Sequence, residues 1–355
     1  EALAAAIAQA VGCPLNGPDA PEQQLLAFLH AKETLLVLDN LEEWLDAAGW
    51  LSGLLAQTPG VKVLATSRQR VDLQAERVYT LEGLPTPPPA ATDPAAFAAM
   101  QLYLRRVRRV TADFTLDGEE AAAAAQICRL VQGLPLGIEL AAAWAGQLSS
   151  VEIAAQIERS LDFLTTTRRD VHPRQRSLRA VFDWSWSRLP AEEQAVFSRL
   201  AIFSGPFTRA AAQQVAGATP AALASLVDKS LGWRRGPLYQ LHQVARQFGC
   251  EKLAQAGEEQ AAQAGHARYY AQFLARQQEP TGGRPQPAAL AEMEQELDNV
   301  RAAWQWLVSA RDAAGITAAA AGYYPYLAIR SHFREGHAAF AAARCALQPL
   351  AAAGP

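Results

Sequence analysis

An unbroken apolar run that ends on a carboxylate is the feature that most constrains the fold of this chain. Residues 35–38 read Leu-Leu-Val-Leu and are followed by Asp39 and Asn40. Such a run is typical of a strand buried on both faces in a parallel sheet, and open α/β sheets bind ligands at the carboxyl ends of their strands. The pattern predicts a fully buried strand, a following helix over Glu42–Ala48 and a carboxylate at the ligand-binding edge.

A second apolar run predicts the neighbouring strand. Val61–Thr66 follows a Pro-Gly turn and is itself followed by Ser67 and Arg68. Two parallel strands with a helical crossover would place Asp39 and Arg68 in one crevice. A carboxylate and a guanidinium there suit phosphoryl transfer, in which the acid holds Mg²⁺ directly or through water. The simpler alternative is a helix N-cap aspartate after a buried strand. A third short strand is predicted over Arg77–Leu81.

Composition limits the class of protein. A chain of 355 residues predicts two to four domains, and a net charge of −3 provides no overall field that attracts nucleic acid or an anionic membrane. The cysteines form no CxxC pair, which favours a reducing, cytoplasmic setting without disulfides or zinc. No apolar stretch is long enough to span a bilayer. The sequence begins on Glu1 inside a helical pattern, so we expect a fragment of a longer protein.

A helical region follows the Pro-rich linker at residues 85–89. Start and stop signals predict helices over Asp93–Val110, Gly118–Val131 and Pro135–Trp144, and Ser149 with Glu152 forms a capping box for a fourth. The end of the first helix carries four arginines, which are Arg105, Arg106, Arg108 and Arg109. We interpret them as a solvated face at a helix C-terminus rather than as a phosphate site.

Several ordered motifs resemble those of a known family. Residues 35–40, 65–68 and 133–136 resemble the Walker B strand, the sensor 1 strand and the GLPL motif of the NB-ARC signal-transduction ATPases, which belong to the STAND class. Residues 177–186, 200–207 and 226–231 are similar to the winged-helix segment of its bacterial branch, and residues 293–303 resemble the opening of the sensor array. The resemblance covers nearly the whole chain.

The resemblance implies an α/β fold followed by an all-α region. It divides the chain into a partial P-loop NTPase parallel sheet (1–84), a helical domain with the GLPL motif (92–166), a winged helix (171–258) and the start of a tetratricopeptide-like helical repeat array (262–355). A loop over residues 279–287 and a helix over Ala288–Ala310 are predicted in the array. Its aromatic residues include Trp304, Trp306, Tyr323, Tyr324 and Tyr326. They could line a ligand groove, but we interpret them as core.

The resemblance also implies a molecular switch that ADP locks and that ATP opens for self-assembly, with an unknown inducer on the repeats. In that scheme Asp39 organises Mg²⁺, Arg68 senses the γ-phosphate, Pro135 packs near the adenine and His242 reads the β-phosphate of ADP. DNA recognition by this winged helix is not expected, because residues 220–226 of the groove-facing helix contain no Arg, Lys, Asn or Gln.

The sequence departs from the family pattern at Asn40 and at residues 241–243, which read Leu-His-Gln where plant members read Met-His-Asp, so only His242 is carried over. Asn40 stands where the family often has a second acid, and it is a candidate for nucleotide binding. Because that acid is missing, Glu42 or Glu43 is the remaining candidate for orienting water. No Gly-Lys dipeptide occurs, so the Walker A loop is absent from this sequence and is expected upstream. This chain alone is therefore expected to be inactive and to hold no nucleotide tightly. The alternative function is a nucleotide-independent helical-repeat scaffold or protein-interaction module.

Overall fold

The structure is a computed structural model that describes residues 2–111, 114–166, 176–229, 231–277 and 287–352. The chain divides into two compact units, of which the first comprises residues 1–81 and 228–230 and the second comprises residues 82–227 and 231–355. The predicted winged-helix start at residue 171 and the predicted loop over 279–287, except for its last residue, lie outside the described residues. The four domain assignments otherwise stay predictions.

The first unit contains the predicted parallel strands. Its elements are α1 (Ala2–Ala10), α2 (Pro21–Leu29), β1 (Thr34–Leu38), α3 (Leu45–Gln57) and β2 (Val61–Ala65). Strands β1 and β2 pair in parallel from Thr34 opposite Val61 to Leu38 opposite Ala65. Leu36 and Val61 join the apolar side chains of the three helices in one buried cluster. The parallel βαβ prediction is confirmed.

The prediction that β1 is buried on both faces is wrong. Leu36 is buried, but the side chains of Leu35 and Val37 are 60% and 64% exposed, and Leu64 on β2 is also exposed. Successive side chains of a strand point to opposite faces. In the described part of the unit the helices pack on one face of a two-stranded sheet, so alternate residues remain in water.

Two further local predictions in this unit are wrong. Residues 77–81 form no strand, because β propensity without a backbone partner among the described residues does not make a ladder. The helix predicted over Glu42–Ala48 is a short 3₁₀ turn, Leu41–Glu43, followed by α3 from Leu45. Trp44, with φ −124° and ψ 17°, separates the two because its backbone is not helical.

A four-helix region opens the second unit. Its helices are α4 (Ala98–Val107), α5 (Gly118–Leu130), α6 (Pro135–Ala142) and α7 (Ser150–Arg159). The capping box of Ser149 and Glu152 is present, as predicted. The single helix predicted over Asp93–Val110 is interrupted, since Phe97 adopts an extended backbone between a 3₁₀ turn and α4. Arg106 forms an ion pair with Glu139 on α6, so this arginine is not simply solvated.

The next segment has the element order of a winged helix. Helices α8 (Leu178–Ser187), α9 (Ala191–Leu200), α10 (Arg209–Ala216), α11 (Pro220–Asp228) and α12 (Gln243–Gln255) accompany three strands, β3 (Phe207–Thr208), β4 (Gly232–Arg235) and β5 (Leu238–Leu241). The antiparallel sheet has the order β3-β5-β4, and Gly236 and Pro237 form the turn of the hairpin between β4 and β5. The order of these elements agrees with the one expected from the sequence, and the assignment of a winged helix stays a prediction.

A helical array follows. Its helices are α13 (Glu259–Arg276), α14 (Pro287–Gln295), α15 (Leu297–Ser309), α16 (Ala313–Ile329) and α17 (Phe333–Ala352). The helix predicted over Ala288–Ala310 is therefore two helices. They separate at Glu296, whose backbone is not helical and whose buried carboxylate accepts a hydrogen bond from the Tyr270 hydroxyl on α13. None of the helices described here combines the length and the apolar character needed to span a bilayer.

The aromatic residues of the array do not all behave alike. Trp304, Tyr323 and Tyr326 are buried, as the core interpretation predicted. Tyr324 is largely exposed, and Trp306 is half-buried. The core interpretation is therefore confirmed for these three residues and wrong for Tyr324, whereas Trp306 is partly buried and packs against the same core cluster.

Candidate functional site

The strand ends of the first unit hold the predicted carboxylate in a fixed position. The register places Asp39 and Thr66 side by side after paired strands, and the Thr66 hydroxyl donates to Asp39 Oδ1 at 2.5 Å. The same hydroxyl oxygen accepts the backbone N–H of Asn40 at 3.1 Å. The backbone N–H of Leu41 donates to the carbonyl oxygen of Thr66 at 2.9 Å. Thr66 thereby orients Asp39 at the carboxyl edge of the sheet.

Asn40 turns the chain away from the sheet. Its backbone is left-handed, with φ 55° and ψ 48°, a conformation that asparagine adopts more readily than most residues. The 3₁₀ turn that begins at Leu41 follows directly. The structure therefore explains an asparagine here by backbone geometry, while its predicted contact with nucleotide stays a prediction.

Arg68 lies next to Glu42. The Arg68 backbone N–H donates to Glu42 Oε2 at 3.4 Å, and the guanidinium Nε lies 3.8 Å from Oε1. The Glu42 side chain is buried, whereas Glu43 is exposed. A buried carboxylate beside the loop after β2 is placed to position Arg68. The roles predicted for Glu42 and Glu43 in orienting water stay predictions.

The donor set at this edge fits a magnesium–nucleotide complex better than an independent metal site. Among the residues that the structure describes, no three His, Cys, Asp or Glu side chains form a group that could hold a metal ion. Magnesium in nucleotide sites is commonly held by one or two carboxylates together with phosphate oxygens and water. Asp39, with one carboxylate oxygen held by Thr66, supplies a single protein ligand of this kind.

The loop of the GLPL motif in the second unit requires its first glycine. Gln132 and Gly133 have left-handed φ values of 49° and 69° between α5 and α6, and Pro135 is the first residue of α6. The Leu84 N–H donates to the Gly133 carbonyl oxygen at 2.9 Å. A Cβ atom on Gly133 would lie 2.0 Å from the Leu84 carbonyl oxygen. Only glycine satisfies both the backbone conformation and this close approach.

His242 contacts the same loop. It lies between β5 and α12, and its Nδ1 is 2.5 Å from Oε1 of Gln132, which is 110 residues away in sequence. Burial lowers the pKa of His242 below its ordinary value, so the imidazole is neutral at pH 7. Two motifs singled out in the sequence, the GLPL loop and the histidine after the wing, are therefore in direct contact within one unit.

Sequence reasoning missed two residues of these sites. Thr66 could have been found from the parallel register, because it stands opposite Asp39 when the two apolar runs are aligned. Gln132 carries no such signal, since an amide before a glycine is an ordinary helix-end residue. In the first unit Asp39 and Asn40 contact Thr66, and Arg68 contacts Glu42. In the second unit Pro135 lies three positions from Gln132.

These features define the chain as a mixed α/β protein in which a small parallel sheet precedes a long helical region that contains a three-stranded antiparallel sheet. It is 32% identical over 276 residues to the uncharacterized protein Rv0894 of Mycobacterium tuberculosis, and the match covers 74% of this chain and 68% of that protein. The chain belongs to the same family as this mycobacterial protein. No model of a known protein family matches the chain.

A second relative is longer. The chain is 35% identical over 349 residues to the protein named "Putative HTH-type transcriptional regulator Rv0890c" of M. tuberculosis, with 94% of this chain covered. The chain spans only 38% of the length of that relative. Among solved structures, a STAND protein with a tetratricopeptide repeat sensor, PH0952 from Pyrococcus horikoshii, matches 94% of this chain and 46% of its own, at 18% identity and a TM-score of 0.29.

Proposed function

We propose that the chain forms the switching part of a regulatory protein controlled by adenine nucleotide. The observation that carries this proposal is the contact between His242 and Gln132. It joins the segment after the wing to the loop before Pro135, so it is the kind of contact that a closed state contains and an open state loses. A ligand shifts such an equilibrium only through different affinities for the two states.

The first unit supplies side chains suited to phosphate chemistry. Asp39 would hold Mg²⁺ directly or through water, and Arg68, positioned by Glu42, would bind the terminal phosphate. When bound, the metal ion would supply positive charge that neutralises the phosphate oxygens. Thr66 would keep the Asp39 carboxylate oriented through its hydroxyl hydrogen bond to Oδ1.

The orientation of the Gln132 amide can determine whether His242 presents an N–H donor or a lone pair to a phosphate. A side-chain amide presents either an oxygen acceptor or an NH₂ donor. If the amide oxygen accepts from Nδ1–H, the neutral ring has only a lone pair at Nε2. If the NH₂ donates to Nδ1, the proton resides on Nε2, which can then donate to the β-phosphate of ADP. A flip of Gln132 would thus be coupled to nucleotide binding.

The regulatory role is also supported by the name of the longer relative, although the chain covers 38% of it. We do not assign DNA contact to this winged helix. The segment 220–226 of α11 carries no Arg, Lys, Asn or Gln, which make most of the specific contacts to base edges. We propose that DNA recognition, if the whole protein has it, resides elsewhere, and that the helical array receives the inducer and supports self-assembly.

A nucleotide-independent scaffold is the second candidate. It is favoured by the apolar core of the second unit, which is continuous from Ala99 on α4 to Ala343 on α17. Such a core suits a rigid interaction surface as well as it suits a switch. The two candidates differ in whether nucleotide is bound.

The distinguishing experiment measures nucleotide in the natural gene product that contains this chain. The purified protein is denatured, and the released nucleotide is identified by anion-exchange chromatography. The switch predicts ADP in stoichiometric amount, together with weak nucleotide binding by the isolated 355-residue chain in calorimetry. A natural product that neither contains nor binds adenine nucleotide would establish the scaffold instead.

A further inference from the structure

A cavity of about 260 Å³ lies between the winged helix and the first helices of the array. Its lining side chains come from the end of α9 and the turn after it, from α12, from α13 and from α15. They include Arg246, Leu253, Glu259, Gln263, His266 and Trp306. An apolar cavity of about 150 Å³ already binds benzene, and pockets for drug-sized ligands begin near 300 Å³. The cavity therefore has room for a benzene ring with two substituents.

One end of the cavity holds a buried imidazole with an unsatisfied nitrogen. His266 is 3% exposed, and its Nε2 has no hydrogen-bond partner. Burial lowers the pKa of His266 to about 4, so the ring is neutral at pH 7. The buried Nε2 atom therefore lacks the hydrogen-bond partner that a buried polar atom requires.

A half-buried guanidinium faces the same cavity. Arg246 makes one long hydrogen bond, from Nη1 to the carbonyl oxygen of Ala201 at 3.4 Å, and no carboxylate among the described residues forms an ion pair with it. The other charged lining residue, Glu259, is exposed and accepts from Gln263 Nε2 at 3.2 Å. The positive charge of Arg246 is thus available to an anion inside the cavity.

The remaining surface suits an aromatic body. Leu253 is fully buried beneath the cavity, and the half-buried ring of Trp306 is held by a hydrogen bond from Nε1 to Gln263 Oε1 at 3.1 Å. A fixed indole ring beside aliphatic side chains favours a flat apolar ligand. The Cys250 thiol donates to the Ala201 carbonyl oxygen at 3.3 Å, and burial raises its pKa, so it adds no negative charge.

We propose that this cavity binds a small aromatic carboxylic acid, with the carboxylate on Arg246, the ring beside Trp306 and a hydroxyl or N–H donor on His266. Guanidinium–carboxylate pairs are charge-assisted and directional, and the unsatisfied Nε2 of His266 favours a hydrogen-bonding group at the other end of the ligand. This inference goes beyond the proposed switch and does not depend on nucleotide. The ligand would bind at the junction between the winged-helix segment and the helical array.

The test titrates the 355-residue chain with 4-hydroxybenzoate and 4-hydroxyphenylacetate by calorimetry, with saturation-transfer NMR for weak binding. Two analogues of nearly equal shape isolate each contact. The amide 4-hydroxybenzamide removes the negative charge, and 4-methylbenzoate removes the donor. We expect saturable binding of at least one hydroxy acid, about tenfold or more weakened in the amide and a smaller loss in the methyl compound.

Two variants and one control assign the binding to this cavity. Arg246→Gln should weaken the acid about tenfold and abolish its advantage over the amide. Ala302→Phe should block the cavity. Arg235→Gln, at the exposed hairpin tip, should bind as the unaltered chain does. Circular dichroism checks that each variant is folded.

Three results would overturn the proposal. They are no saturable binding of either hydroxy acid, equal binding of acid and amide, and undiminished binding by a folded Arg246→Gln variant. If Arg246→Gln does not fold, the loss of binding in Ala302→Phe and the preference for acid over amide in the unaltered chain decide the question.

Discussion

The Nδ1 atom of His242 lies 2.5 Å from Oε1 of Gln132 and so connects the residue after β5 to the loop between α5 and α6. Gln132 has a left-handed backbone beside Gly133, which fixes the direction in which its side chain leaves the loop. His242 is neutral because burial lowers its pKa. The tautomer of His242 therefore depends on whether the oxygen or the NH₂ group of the Gln132 amide faces the ring.

Replacing the amide by a carboxylate should change the charge of His242. In Gln132→Glu the new carboxylate would favour the imidazolium and oppose the effect of burial, so the pKa of His242 should rise. Histidine resonances followed by NMR across a pH series of the 355-residue chain give this value. Gln101→Glu, on the exposed side of α4, is the matched control. A His242 pKa that is the same in both variants would contradict the contact.

Gly133→Ala should destabilise the second unit. The left-handed backbone costs a non-glycine residue about 1 to 2 kcal/mol, and the added Cβ would lie 2.0 Å from the Leu84 carbonyl oxygen, so we expect a total of at least about 2 kcal/mol. Urea denaturation measures the change. Gly265→Ala in α13 is the control, because its Cβ meets nothing within 4 Å and alanine favours a helix. An equal stability change in the two variants would show that the loop tolerates a side chain.

His266 should make stability depend on pH. Its pKa is about 4 in the folded chain against an ordinary value of 6.5, so between these values the unfolded chain binds a proton that the folded chain does not. Stability should therefore fall as the pH drops from 6.5 to 4, by about 3 kcal/mol for this group alone. The measurement compares urea denaturation of the unaltered chain and of His266→Gln across this range. Parallel pH profiles would show that His266 is not buried in its neutral form.

Much of the fold follows from local patterns. The two apolar runs gave a parallel pair, and the cap of Ser149 and the turn at Gly236 and Pro237 lie where the sequence indicates. These features are determined within a few residues, by alternation, capping and backbone freedom. Local patterns failed where a tertiary contact decides, as at Glu296, which ends α14 when its carboxylate meets Tyr270 on α13.

The site residues also divide into those that local patterns predict and those that only a tertiary contact reveals. Asp39 and Arg68 were predicted from strand ends, and the register that supplies Thr66 is implied by the same pattern. The contact of His242 with Gln132 spans 110 residues and joins two loops, so no periodicity could reveal it. The exposure of Leu35 was missed because an apolar run does not state how many faces of a strand are covered.

Asp39→Asn in the natural gene product should reduce ATP hydrolysis much more than nucleotide binding. The amide still accepts a hydrogen bond from Thr66 but lacks the charge that would hold Mg²⁺, and loss of such a preorganised group typically costs about 100-fold or more in rate. Thr66→Val should have a smaller effect, because the carboxylate keeps its charge and loses one orienting contact. Steady-state turnover and calorimetry measure the two quantities. Unchanged turnover in Asp39→Asn would show that Asp39 has only a structural role in the turn after β1.

The release of ADP from the natural gene product tests the switch most directly. A fluorescent ADP analogue is bound, chased with excess ADP and followed by stopped-flow fluorescence, while the size of the uninduced protein is measured by light scattering. His242→Ala is compared with His337→Ala, which alters an exposed histidine on α17. The account predicts faster release and assembly without inducer in His242→Ala alone. An unchanged release rate with an unchanged size in a folded His242→Ala protein would contradict it.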